Sequence, residues 1–589
     1  MRYVLCGINA KYIHTNLAVL SLQAYCREKC GQDEAENRAP DHELPQPEIL
    51  VKEYTINNYV EDILQDLYLT RADVFVFSSY IWNIDHVKEL AAELKKVSPA
   101  CSIWAGGPEV SYDGPGFLRD NPAFDLIMQG EGEEVFRQLT RSYDGTMDSV
   151  PPLPGIALRR CGKGQETGPE RPCMIEDHGF APLMDMDRIP FVYQDFSGFA
   201  HKILYYETSR GCPFRCSYCL SSVDKRVRYR DLAKVKKELD AFLKAGVAQV
   251  KFVDRTFNCD ISRAKEIWRY LSGHDNGVTN FHFEISADLL DDECLEIFRE
   301  MRPGLIQLEI GVQSTNPPTI DAIRRHMDLD ELFRRVDQVH DLGNIHQHLD
   351  LIAGLPYEGI GEFARSFDEV YVHEPDQLQL GFLKVLKGTR MMEEAEGYGI
   401  SYRDRSPYEV LSTGWITYDD LILLKGVEEM VETYYNSGQY THTLRYVLPL
   451  FESPFLFYRT FSAYYRGRGL HLMNHNRPEK YEILRAFLRD REKDLPLLDE
   501  LLLYDFCLRE RIKKRPGWAP DLMPDRKKLK EIRRVPNHCH MEGFSFDICA
   551  YVRDGSYLPG KYICLFDYSV RNPLNHEAGT ECFLMEEED

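Results

Sequence analysis

Three cysteines fall within eight residues, Cys212-x3-Cys216-x2-Cys219, in the segment TSRGCPFRCSYC. They directly follow KILYYETS, whose β-branched and aromatic content reads as a strand. Thiolates this close are soft ligands that suit an iron–sulfur cluster or zinc. Three of them can hold three irons of a cubane and leave the fourth open to a small ligand. A structural zinc needs a fourth ligand and usually paired cysteines, and the chain has no second Cys-x2-Cys. The cysteine loop therefore reads as a metal-holding turn at the end of a strand.

The surrounding pattern alternates strands with helices. In residues 1–140, RYVLCGI, ILVKEYTI, DVFVFSSY, CSIWAGG and DLIMQG read as strands of an open α/β sheet with a parallel core. Such sheets bind ligands beyond the carboxyl ends of their strands. Residues 141–200 are rich in turn signals (PPLPG, GKGQETGPERP) and read as a connector, with GIALRR as one arm of a small hairpin. Over 201–390 the strands are KILYYETS, QVKFVDRTF, NFHFEISA, LIQLEIGVQS, IHQHLDLIAGLP and QLQLGFLKVL. Six β/α units in this length suggest an open, partial barrel rather than the eight-unit closed one. Residues 391–589 show mostly helical spacing, with FSFDICAYV and KYICLFDYS read as strands and EEED as a solvated tail.

The charge balance, 71 − 94 = −23, argues against broad non-specific nucleic-acid binding. Residues 509–534, with 11 Lys/Arg, 4 Asp/Glu and Trp518, could grip RNA, although solvated helix faces account for them more simply. No stretch approaches the ~18 apolar residues of a membrane span, and the N-terminus lacks a signal-peptide pattern. A soluble, cytoplasmic protein with no membrane partner is the expectation. Sixteen cysteines are many for such a chain, and in a reducing compartment the tight group points to metal rather than disulfides.

The cysteine spacing, with Tyr218 before the last thiol, resembles the radical S-adenosylmethionine (SAM) superfamily over about residues 200–390. The resemblance implies a [4Fe–4S] cluster on Cys212, Cys216 and Cys219, whose open iron binds SAM. It also implies cleavage of SAM to a 5′-deoxyadenosyl radical that abstracts a substrate hydrogen, and a low-potential electron donor of flavodoxin or ferredoxin type. It places Phe214, Tyr218, Asp254, Glu284, Gln313 and Gly354 near SAM: Asp254 in FVDRTFN by the methionine part, Glu284 in FEISAD on the ribose, and Gln313 and Gly354 at later strand ends. A capping role for the strand-end carboxylates is the alternative. The family's Gly-Gly-Glu segment is absent, with FVDRTFN in its place.

The first 140 residues resemble the cobalamin-binding domain found before many radical SAM domains, through SSYIWN, AGGPEVS and DLIMQGEGEEVF. The resemblance implies a flavodoxin-like fold with Ser78, Tyr80, Trp82, Gly106, Gly107, Gly130, Glu131 and Gly132 around the corrin. Glycines at strand ends let backbone approach a large ligand closely. The Asp-x-His-x-x-Gly signature that supplies histidine to cobalt is missing, so no histidine from it is expected there. His14 could lie near the corrin but reads first as a solvated or capping residue. The remaining residues, 391–589, resemble an uncharacterised extension of such proteins. Within it Tyr568, Arg571 and Asn572 read either as active-site reach or as a local turn, and His538, Cys539 and His540 in NHCH read as a loop rather than a metal site.

The expected function is cobalamin-dependent radical SAM chemistry on a small molecule, first as methylation of an unactivated carbon through methylcobalamin. The alternatives are a radical rearrangement or cyclisation in which cobalamin donates no methyl, and a cobalamin- or redox-sensing binding protein.

Overall fold

In the computed structural model, residues 1–35, 46–161, 173–491, 494–523 and 538–585 are described. They form two compact units. The first comprises residues 1–300, 321–327 and 383–411, and the second 301–320, 328–382 and 412–589.

The first unit opens with a seven-stranded sheet. Its strands are β1 (Arg2–Asn9), β2 (Glu48–Thr55), β3 (Val74–Ser78), β4 (Ser102–Gly106), β5 (Leu126–Met128), β6 (Ile156–Cys161) and β7 (Cys173–Asp177), in the order β2-β1-β3-β4-β5-β6-β7. The first five strands are parallel. Alternate residues of β1 enter opposite cores: Val4, Cys6 and Ile8 pack on one face, Tyr3 and Leu5 on the other. A strand apolar on both faces is what a sheet covered by helices on both sides requires. The helix Ile84–Val97 supplies Ile84, Val87, Leu90, Ala91 and Leu94 to the first of these cores, at helical spacing. Residues 1–140 thus have the flavodoxin-like fold expected.

The sheet does not stop at residue 140. β6 and β7 add an antiparallel hairpin to its edge, closed by a Cys161–Cys173 disulfide. Part of the expected connector is therefore sheet, and the sequence reading singled out neither cysteine.

The first unit continues with β8 (Ile203–Tyr206), a ribbon of β9 (Ser209–Arg210) and β10 (Arg228–Tyr229), then β11 (Gln249–Phe252) and β12 (Asn280–Ile285). β8, β11 and β12 are parallel neighbours. The loop after β1 is knit to β8: Ile203 N–H donates to Ile13 O at 2.7 Å, and Thr15 Oγ1 to Ile203 O at 3.2 Å. The second unit carries β13 (Ile306–Gln313), β14 (His346–Ala353) and β15 (Gln377–Phe382), also parallel. Six strands over residues 203–382, with helices between them, match the expected partial barrel.

The C-terminal extension is mainly helical and ends in a three-stranded antiparallel sheet. FSFDICAYV is not one strand: Asp547 Oδ1 accepts from Ala550 N–H and caps the helix Ile548–Asp554. The cap overrides the strand-like composition of ICAYV. Trp518 is half-buried over Tyr481, at 6.4 Å, against the apolar core of the extension. Residues 524–534 of the basic stretch and the terminal EEED lie outside the described residues. No described helix is long and apolar enough to cross a membrane.

Candidate active site

A cavity of about 630 Å³ opens at the carboxyl ends of the first sheet. Ser78, Tyr80, Trp82, Gly106, Gly107, Gly130, Glu131 and Gly132 all line it. Three strand-end loops bring them together. β3 ends at Ser78, opposite Gly106 of β4, and the Ser79 N–H donates to Gly106 O at 2.8 Å. That close approach needs glycine at 107: φ is +109°, and an added Cβ would lie 2.5 Å from Ser79 O. Ser111 Oγ donates to Gly107 O and accepts from Gly130 N–H, tying this loop to the next. Tyr80 stacks on Trp82 at 4.3 Å and 7°, and Trp82 Nε1 donates to Ile8 O. The wall on this side is backbone and aromatic surface, which fits a large planar ligand.

The opposite wall comes from β8, β11 and the turns after them: Tyr205, Glu207, Arg210, Val253 and Arg255. It is built from paired charges. Arg210 donates to Glu133 at 2.5 Å and to Glu207 at 2.9 Å, and Glu131 Oε2 lies 3.4 Å from it. Burial raises the Glu207 carboxyl, with Arg210 opposing. Burial likewise acts against ionised Glu133, but Arg210 and the Ser21 hydroxyl outweigh it and hold that carboxyl below its usual range. His14 lines the same cavity and shares a 2.8 Å hydrogen bond with the Tyr205 hydroxyl. Burial, with Lys11 and Lys251 adding, keeps the imidazole below its ordinary pKa and so neutral at pH 7. His14 is thus half-buried at the cavity and held by Tyr205.

The cysteine loop hangs from the β9–β10 ribbon. Gly211 closes it at φ +95°, where a Cβ would lie 2.2 Å from Arg226 O. Ser222 Oγ donates to the carbonyls of Cys216 and Cys219, and Ser217 N–H donates to Ile323 O. Cys212 and Cys216 are buried and Cys219 is half-buried. Burial raises the Cys212 thiol, opposed by the Phe214 N–H and Thr256. It raises Cys216 too, opposed by the Arg325 guanidinium, which also bonds Tyr218. Three soft donors on a pinned turn suit a cluster with one open iron. The cysteines do not line the cavity, but the β11 turn joins the two. Arg255 faces the cavity, and the next hydroxyl, Thr256 Oγ1, lies 3.8 Å from Cys212 Sγ. Thr256 holds φ +55°, a costly conformation for a β-branched residue.

Several expected residues are otherwise engaged. Asp254 is 1% exposed, and its carboxylate accepts from Thr208 N–H, Thr208 Oγ1 and Ser209 Oγ. It positions the strand that leads into the cysteine loop and is turned away from the cavity. Glu284 is gripped at both oxygens by Arg255, at 3.0 and 2.7 Å. Glu131 is bound by both Arg228 nitrogens and accepts from Met184 N–H at 2.8 Å. Gln313 and Gly354 stand at the carboxyl ends of β13 and β14 in the second unit, with φ +72° and +85°. There too, Tyr568 Oη donates to Cys507 O, Arg571 to the carbonyls of Arg509 and His576, and Asn572 caps a turn at Leu574 N. The Tyr568 and Arg571 contacts tie their strand to the carbonyls that end the helix Leu498–Arg509, while Asn572 closes a local turn. Sequence reasoning did not find Arg210, Arg255, Thr256, Arg325 or Tyr205. FVDRTFN, singled out for Asp254, covers Arg255 and Thr256; TSRGCPFRCSYC covers Arg210 and the strand KILYYETS covers Tyr205, but nothing in them marked these residues.

Comparison with known proteins assigns these parts. Residues 3–140 match the B12 binding domain, 206–370 the Radical SAM superfamily, and 396–543 a protein of unknown function, DUF4080. The 2-(S-pantetheinyl)-carbapenam-3-carboxylate methyltransferase of Streptantibioticus cattleyicolor is 28% identical over 334 residues, 52% of this chain and 47% of that protein. The anaerobic magnesium-protoporphyrin IX monomethyl ester cyclase of Rubrivivax gelatinosus is 24% identical over 290 residues, 47% and 49% of the two chains. The chain spans about half the length of these curated relatives. Among solved structures, the cobalamin-dependent S-adenosylmethionine radical enzyme OxsB, with aqua-cobalamin and S-adenosylmethionine bound, aligns with a TM-score of 0.57 at 15% identity. That alignment covers 86% of this chain and 83% of OxsB.

Proposed function

We propose that this chain, a cobalamin-dependent radical SAM enzyme with a [4Fe–4S] cluster, brings its cofactors against one small-molecule substrate at the strand-end cavity and begins by hydrogen abstraction from an unactivated carbon. The observation that carries the reading is one cavity with glycine and aromatic surface on one side, paired charges on the other, and a link through Thr256 to the cysteine loop. When bound, the cluster supplies the electron that cleaves SAM, and cobalamin supplies a redox-active cobalt.

The chain's own residues position these groups and exclude water. Cys212, Cys216 and Cys219 would hold the cluster. Gly106, Gly107, Gly130 and Gly132 would admit the corrin edge, and Tyr80 and Trp82 would shield it. Arg210 neutralises Glu133 and bonds Glu207, whose burial favours the neutral acid, so the opposite wall offers no bare buried charge. His14, neutral and tied to Tyr205, adds no cation to that wall.

We place ring closure or rearrangement first, with cobalamin giving up no methyl group. The cyclases among the relatives support it. Methylation of a carbon is the second reading, favoured by the carbapenam methyltransferase. The test is anaerobic turnover of reconstituted protein with cobalamin, SAM, a low-potential reductant and a metabolite extract. Extract-dependent 5′-deoxyadenosine without matching S-adenosylhomocysteine is expected. Comparable, cobalamin-dependent amounts of both would establish methyl transfer instead.

A further inference from the structure

In the C-terminal extension, beyond the residues matched by any family model, a second set of thiols converges. Two strands place two of them: β18 (Cys539–Phe546) begins the sheet there, and β19 (Pro559–Arg571) and β20 (Ala578–Leu584) set Cys564 directly opposite Cys582. The first turn of the helix Ile548–Asp554 lays Cys549 over that pair. All three sulfurs lie within 4.8 Å of one another. Cys549 Sγ is 3.7 Å from Cys564 Sγ and 2.7 Å from Cys582 Sγ. The second distance is well beyond the about 2.0 Å of a disulfide bond.

Thiolates ~2.3 Å from a tetrahedral zinc stand about 3.8 Å apart along an edge. The Cys549–Cys564 separation matches that edge, and the shorter Cys549–Cys582 separation has to open by about an ångström for both sulfurs to reach one metal. A cubane places each thiolate on a different iron and needs the sulfurs farther apart. Cys564 is fully buried, while Cys549 and Cys582 are half-buried, so water reaches one side of the triad. We propose that Cys549, Cys564 and Cys582 form a mononuclear zinc site, separate from the iron–sulfur loop, with its fourth position open to water. Thiolate softness selects zinc over the hard cations. Binding clips a helix to the two strands that follow it, and so stabilises the end of the extension.

The test is metal analysis of the full-length protein, purified anaerobically, reconstituted with iron, sulfide and cobalamin, exposed to zinc and then desalted. About one zinc per chain is expected in addition to iron and cobalt. Cys549→Ser and Cys582→Ser, at the half-buried positions, should each lower zinc more than fivefold while cobalt and iron stay at wild-type levels, which also shows that those variants fold. Cys216→Ala should do the reverse, losing iron and keeping zinc. Three results would overturn the proposal: wild-type protein with under a tenth of a zinc per chain, zinc retained by a Cys549→Ser/Cys582→Ser double variant, or a Cys549–Cys582 disulfide peptide as the main species in the anaerobic protein.

Discussion

The two walls of the cavity are made in opposite ways. The first-sheet wall is mostly backbone, with Gly107 and Gly130 at positive φ, and Tyr80 stacked on Trp82. The second-sheet wall is side chain, with Arg210 shared between Glu133 and Glu207, and Arg255 holding Glu284. A backbone wall recognises shape and gains its affinity from area and close approach. A wall of paired charges tolerates a polar ligand beside it but loses much when one partner is removed. The contrast matches a division of labour between a large, flat corrin and small polar partners.

The contrast can be broken in graded ways. Cys216→Ala should remove cluster iron and lower 5′-deoxyadenosine formation more than ~100-fold, with cobalt content unchanged. Gly132→Leu should act on the other side only. Its Cβ meets no more than Leu22 Cδ2, at 3.2 Å, and φ is not positive, so the new side chain fills space without backbone strain. Bound cobalamin should fall about tenfold by cobalt analysis while iron is retained. Arg210→Met leaves Glu133 and Glu207 facing each other unpaired, and should cost about 3 kcal/mol of stability in denaturant titration. Trp82→Ala removes a stacked, 42% exposed ring and one hydrogen bond, and should cost about 1 kcal/mol and a few-fold in cobalamin affinity.

The smallest effect concerns pH. Burial raises the Glu207 carboxyl in the folded protein, so the folded state holds its proton over a pH range in which the unfolded chain has lost it. That contribution lowers stability as pH rises from the ordinary carboxylate range up through the raised value. Glu207→Gln, locked neutral, should therefore gain on wild type as pH rises and converge with it at low pH. A difference growing toward low pH would reverse the assignment.

The backbone wall was legible in the sequence and the charged wall was not. Glycines after apolar runs mark strand ends locally, so AGGPEVS and QGEGEEVF point to the cavity without knowledge of the fold. The cysteine spacing is local too. Arg210, Arg325 and Tyr205 gain their meaning from partners brought close only by sheet register and docking: Glu133 for Arg210, Tyr218 for Arg325, His14 for Tyr205. Asp254 and Glu284 stand at strand ends as expected, but which donors satisfy them depends on residues distant in sequence. One arm of the hairpin β6–β7 was read in GIALRR, but its joining to the first sheet was missed for a related reason. Its flanks are turn-rich, and its pairing partner, β5, lies outside the segment read as a connector.

The most direct test of the shared cavity is anomalous diffraction at the cobalt edge from crystals of the cobalamin-loaded, cluster-containing protein. The account predicts one cobalt peak inside the cavity bounded by Gly107, Trp82 and Tyr205, with iron at the cysteine loop. A cobalt peak outside that cavity, or cobalamin retained in solution with none bound there in the crystal, would contradict it.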